Sequence, residues 1–141
     1  VDIVKQQLRI AMGSPLSLRQ EDVHMQGHAI ECRINAENPE LGFRPSPGRI
    51  DSLYMPGGPG VRIDSAVYGG YTIPPYYDSM IAKLIVHANT RQEAIMKMRW
   101  ALAEFLVEGV DTNIDFQLSL LHNKDFEAGN YDIGFLDRLI K

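Results

Sequence analysis

The stretch Gly27-His28-Ala29-Ile30-Glu31-Cys32-Arg33-Ile34-Asn35-Ala36-Glu37 constrains the fold of this chain more than any other. Read with the two-residue period of a strand, it separates into two faces. Ile30, Cys32, Ile34 and Ala36 fall on one face and are apolar. Ala29, Glu31, Arg33, Asn35 and Glu37 fall on the other and are nearly all polar. Such a segment belongs in a sheet with one face on a core and the other open, as antiparallel sheets commonly are. A row of acid, arginine, amide and acid on the open face is unusual for a merely solvated surface. The same strand is therefore a structural anchor and a candidate site.

The neighbouring segments extend this reading. Ile3, Val4, Leu8 and Ala11 form the apolar stripe of an opening helix that stops at Gly13-Ser14-Pro15, and Arg19-Gln20-Glu21-Asp22 connect it to the strand. After the strand, Phe43-Arg44-Pro45-Ser46-Pro47-Gly48-Arg49-Ile50 makes a rigid turn into an apolar run. Residues 38–79 hold most of the prolines and many glycines, which cut the chain into segments at 49–55, 60–66 and 70–73. Short segments punctuated this way predict a meandering antiparallel sheet. Residues 80–86 are apolar on both faces except at Lys83, the pattern of a central strand.

A helix is predicted over residues 90–108. Thr90 and Glu93 form its capping box, and Ala94, Ile95, Met98, Ala101, Leu102, Phe105 and Leu106 recur at helical spacing. Gly109 is expected to end it in a left-handed cap. Shorter helices are expected over 113–121 and 133–140. The predicted class is α+β, an antiparallel sheet with helices packed on one side, in a single domain over 1–141.

Composition excludes several functions. With a net charge of −4 and a pI near 5.5, the chain carries no electrostatic footprint for nucleic acid. No apolar run approaches the roughly 20 residues of a membrane span, and no signal segment opens the chain. One cysteine cannot form an intrachain disulfide, which fits a reducing, cytoplasmic setting. The histidines at 24, 28, 87 and 122 have no zinc-site spacing, so no metal site is expected. Met55-Pro56-Gly57-Gly58-Pro59-Gly60-Val61-Arg62 lacks the Gly-Lys-Ser/Thr ending of a phosphate loop, and its second proline removes a donor. It reads as a turn. The opening Val1-Asp2-Ile3-Val4 lies inside a helical pattern without an initiator methionine, as expected of a piece of a longer protein.

The strand motif, the Arg44–Arg49 turn and Pro74-Pro75-Tyr76-Tyr77-Asp78-Ser79-Met80-Ile81-Ala82-Lys83-Leu84 together closely resemble the C-terminal domain of biotin carboxylase. The resemblance covers essentially the whole chain. It implies a parent that phosphorylates bicarbonate with ATP and magnesium and passes the carboxyl group to N1′ of carrier-bound biotin. The glycine-rich lid, phosphate-binding lysines, magnesium-binding glutamates and catalytic base of such a parent would lie before Val1. The fragment is then expected to hold no cofactor and to be inactive alone.

The resemblance also implies residue roles. Arg33 would sit beside the ureido ring of biotin and stabilise the enolate formed when the ring nitrogen loses its proton, chemistry suited to a permanent cation with a planar fork of donors. The residues alone equally allow a structural ion pair of Arg33 with Glu31 or Glu37. Ile133 would cover one face of the ATP adenine ring, whereas its pattern with Leu136 and Ile140 suggests core packing. Tyr76, Tyr77 and Asp78 would lie near the site mouth and the contact between protomers, or simply form a turn bonded through the aspartate. The loop with Pro59 and Arg62 would contribute to a homodimer interface, and some relatives carry an aromatic residue at the Pro59 position.

Two readings remain open: a ligase fragment contributing Arg33 to carboxylation, or a scaffold and dimerisation module. The parent would be the separate biotin carboxylase subunit of bacterial acetyl-CoA carboxylase, serving fatty acid biosynthesis. It would otherwise be the leading segment of a pyruvate, propionyl-CoA or methylcrotonyl-CoA carboxylase. Termination near Lys141 favours the separate subunit. Expected partners are a second copy, the biotin carboxyl carrier protein or domain, and the rest of the carboxylase complex.

Overall fold

The structure, a computed structural model, describes residues 1–140 and opens with helix α1 (Ile3–Ala11). Strand β1 (His28–Asn35) follows, then β2 (Glu37–Asn38), β3 (Arg44–Pro45), β4 (Gly48–Arg49), β5 (Ser52–Tyr54), β6 (Val61–Ser65) and β7 (Thr72–Ile73). The long strand β8 (Met80–Ala88) leads into helix α2 (Arg91–Glu104), strand β9 (Leu106–Glu108) and helices α3 (Ile114–Leu121), α4 (Lys124–Ala128) and α5 (Phe135–Leu139). The α+β class and the antiparallel pairing expected from the sequence are both present.

β8 lies between β1 and β6 in the largest sheet. Its register sets Cys32 opposite Leu84 opposite Ile63, and Ile30 opposite Val86 opposite Val61. Residues directly opposite share a face, so these rows form one apolar surface. Helix α2 covers it with Ala94, Ile95, Met98, Ala101 and Leu102, all buried. The helix starts at its predicted cap, with the reciprocal bond falling one residue early, on Asn89 and not on Thr90. Thr90 Oγ1 accepts from the Glu93 amide at 3.2 Å, and the Glu93 carboxylate accepts from the Asn89 amide at 3.1 Å. Each fully buried aliphatic side chain in this layer contributes about 1.5–3 kcal/mol.

Four expectations need correction. The predicted 90–108 helix stops at Glu104, and Leu106–Glu108 becomes β9, paired with β5. Phe105 and Leu106 keep helical spacing, but the open edge of β5 claims the backbone of Leu106–Glu108, a tertiary contact that overrides propensity. Gly109 therefore closes a strand turn and not a helix: at φ +100, a Cβ there would strike the Arg49 carbonyl. The proline-rich region is antiparallel, yet it is no simple meander. β2 pairs with β3, β4 with β7 and β5 with β9, the last two across long stretches of chain. Finally, the last helix begins at Phe135, so Ile133 lies outside it.

α1 forms where its stripe predicts, with the Asp2 carboxylate accepting from the Lys5 amide at 2.9 Å. None of its residues is buried, and Ile3, Val4 and Leu8 face outward. Among the described residues, no helix is long and apolar enough to cross a membrane.

Cys32 gives this core a titratable marker. Burial first, and the Glu31 charge second, push its thiol up from the ordinary 9.0 to about 12. Because the folded value is raised, its stabilisation is complete below pH 9 and is lost as pH rises toward 12. Across that window the group contributes a slope of about 1.4 kcal/mol per pH unit. Denaturant midpoints at pH 8 and pH 10 should show this loss, and Cys32→Ala should flatten it. An equally steep decline in the alanine variant would assign the effect to other groups.

Candidate functional site

The open face of the β1-β8-β6 sheet carries the charges. Arg33 stands opposite Lys83, which stands opposite Asp64, and the next row is Glu31, Ile85 and Arg62. Two cations directly opposite each other destabilise a sheet slightly unless an anion meets them. Among the described residues, no carboxylate forms an ion pair with Arg33. The structural alternative, a pair with Glu31 or Glu37, is not formed.

Glu37 is engaged elsewhere. A register shift between Ile34 and Asn35 breaks the alternation just after Arg33. Beyond it, Glu37 Oε1 accepts from Ser79 Oγ at 2.5 Å and from Asn35 Nδ2 at 3.2 Å. Arg33 itself stays exposed. The result is a permanently charged guanidinium without an ion-pair partner among the described residues, able to meet an oxyanion.

The loop before β8 borders this face. Asp78 Oδ1 accepts from the Met80 amide at 2.7 Å, the turn bond expected of it, while Tyr76 and Tyr77 are exposed. A cleft of about 410 Å³ opens between this loop and β6, with Asp64, Tyr71, Tyr77, Asp78, Met80 and Lys83 among its lining.

Arg62 lies on the same sheet face as Arg33, and Pro59 lies in the loop before β6. The Arg62 guanidinium grips the Asp64 carboxylate through two bonds of 2.9 Å, which holds that carboxyl below the usual carboxylate range. Pro59 is exposed, and its carbonyl accepts from Lys97 Nζ at 3.1 Å. Ile133 sits apart from the sheet, in the turn before α5. It is fully exposed at 106% while Phe135 is buried, so the core-packing alternative for Ile133 does not hold. The segment before that turn is tied down by Arg91, whose guanidinium lies over the Phe126 and Tyr131 rings at 4.9 and 5.5 Å.

Sequence reasoning missed Asn113, the one buried polar residue of the described chain, which bonds the backbone on both sides of Ile34. Its signal was an asparagine at a predicted helix start. That position reads as an ordinary cap until the strand beside it is known.

The biotin carboxylase C-terminal domain family matches residues 31–138. Biotin carboxylase 1 of Bacillus subtilis is 56% identical over 136 residues, covering 96% of this chain and 30% of that protein. A pyruvate carboxylase subunit from Methanothermobacter thermautotrophicus is 52% identical over 137 residues, covering 97% of this chain and 28% of that protein. A solved structure of the Hydrogenobacter thermophilus 2-oxoglutarate carboxylase biotin carboxylase domain dimer, in complex with MgADP, ADP and bicarbonate, is similar with a TM-score of 0.94 and 48% identity. That match covers 98% of this chain and 30% of the solved one. The chain thus spans less than a third of each of these relatives.

Proposed function

The chain belongs to the biotin carboxylase C-terminal domain family, and from that premise we propose that it forms one wall of the biotin site in an ATP-dependent biotin carboxylase. The observation that carries this reading is Arg33: exposed on the open sheet face, within the matching motif, and without an ion-pair partner among the described residues. A scaffold strand would be better served by a neutralised or uncharged residue there. A guanidinium fork fits the ureido oxygen of carrier-bound biotin, where negative charge develops as the ring nitrogen loses its proton.

ATP, magnesium and bicarbonate are handled by the remainder of the parent. The exposed side chain of Ile133 offers an apolar surface for one face of the flat adenine ring. A carrier protein or domain delivers biotin in the cytoplasm. The carboxyl group then passes to acetyl-CoA for fatty acid biosynthesis, or to pyruvate, the alternative that the Methanothermobacter relative favours.

Carboxylation is tested on the full-length protein. With ATP, magnesium and labelled bicarbonate it should fix label into free biotin, and the 141-residue chain alone should not. Absence of fixation by the full-length protein overturns the proposal.

The same reading places a two-fold contact at Pro59 and Arg62, two-fold pairing being the commonest symmetry of homo-oligomers. Arg62 enters such a contact already paired with Asp64. Arg62→Glu would set two carboxylates side by side and should shift the full-length protein from dimer to monomer in sedimentation at micromolar concentration. An unchanged dimer would move the contact elsewhere.

A further inference from the structure

We infer that Asn113, assisted by Gln117, is a positioning residue for Arg33: it clamps the outer edge of β1 and so sets where the guanidinium stands. The inference rests on the reading of Arg33 as the group that meets biotin.

β1 is an edge strand, with β8 on one side and, among the described residues, no strand on the other. The backbone groups of Arg33 and Asn35 on that outer side therefore need partners from elsewhere. The first turn of α3 supplies them. Asn113 Oδ1 accepts from the Asn35 amide at 2.9 Å, and its Nδ2 donates to the Arg33 carbonyl at 3.1 Å. A side-chain amide has the donor and acceptor of a peptide unit, so this fork imitates one rung of a neighbouring strand. The Asn113 amide N–H donates to the Asn35 carbonyl at 3.2 Å, and Gln117 Nε2, one turn along, donates to the Arg33 carbonyl at 2.5 Å. All of these bonds converge on the two residues that flank Ile34.

Two further observations set this apart from ordinary packing. Asn113 occupies the N-cap of α3, where its side chain would normally accept from the amides of the first turn. It makes no such bond. The helix forgoes its cap, and the amide is turned to the strand. The clamp also spans the register shift between Ile34 and Asn35, where the ladder to β8 is irregular and the strand is least defined by its neighbour. Arg33 lies immediately before that break and lacks an ion pair to hold its side chain, so its position depends on the backbone beneath it. Misplacement by about 1 Å can cost on the order of 10²-fold in rate.

The test uses the full-length protein and two partial reactions, carboxylation of free biotin and the slow bicarbonate-dependent ATP cleavage that proceeds without biotin. Asn113→Asp keeps the acceptor for the Asn35 amide but sets an oxygen against the Arg33 carbonyl. Gln117→Leu removes one donor at a half-buried position and avoids a buried charge, so it decides the matter if the first variant fails to fold. Biotin carboxylation should fall roughly 10–100-fold in Asn113→Asp and severalfold in Gln117→Leu. ATP cleavage should stay within about twofold, with the folded fraction unchanged. Parallel loss of both reactions with the folded fraction would make the clamp structural only and overturn the inference, as would wild-type carboxylation in folded variants. Arg33→Met measured alongside separates the two claims. If it loses carboxylation while the clamp variants keep it, only the positioning role falls. If it carboxylates biotin normally, the reading of Arg33 falls and this inference with it.

Discussion

Arg33→Met in the full-length protein should lower biotin carboxylation by roughly 10²–10³, the loss typical of removing one donor to a developing oxyanion. Methionine keeps the length and apolar stem of the side chain and deletes only the charge and the fork. Because Arg33 makes no ion pair within the described chain, the substitution strands no carboxylate, and the melting temperature should hold. Relief of its repulsion with Lys83, directly opposite, offsets any small packing loss. An interaction made chiefly in the transition state lowers kcat and kcat/KM together, and the KM for ATP should change little. ATP cleavage without biotin should survive. Loss of both reactions alongside a lower melting temperature would sink the catalytic assignment.

How far the sequence disclosed this site depends on the range of the interactions involved. β1 was legible because its period of two reports burial directly, and one face of it did go into the core. β8 was legible from an apolar run interrupted only at Lys83, and the start of α2 from Thr90 and Glu93. The end of α2 was not, since Phe105 and Leu106 satisfy helical spacing and only the distant β5 makes Leu106–Glu108 a strand. The status of Arg33 was undecidable from spacing alone. Glu37 shares its face by period, but the register shift and the bond from Ser79, 42 residues away, take that carboxylate out of reach. Asn113 was hidden for the same reason: its partners lie 78 and 80 residues earlier. Local patterns disclosed the elements, and long-range hydrogen bonds decided what the polar residues do.

Two leucines test how the chain divides between a self-sufficient core and a surface that is not. Leu84 sits at the middle of the central strand, 0% exposed, between Cys32 and Ile63 and beneath α2. Leu84→Ala removes buried methyl groups where three strands and a helix leave little room for collapse, so it should cost about 2–5 kcal/mol. For a domain of this size that corresponds to a fall of roughly 7–17 °C in melting temperature. Leu8, on the apolar stripe of α1, is 62% exposed. Leu8→Ala in this chain forfeits little burial and gains slightly in helix propensity, so it should stay within about 0.5 kcal/mol. Urea denaturation of the two variants makes the comparison. Equal destabilisation would mean that α1 packs on the sheet in solution, against the outward-facing stripe seen here. A large loss at Leu84 alone would establish that the sheet beneath Arg33 is held by β8 and α2, independently of the opening helix.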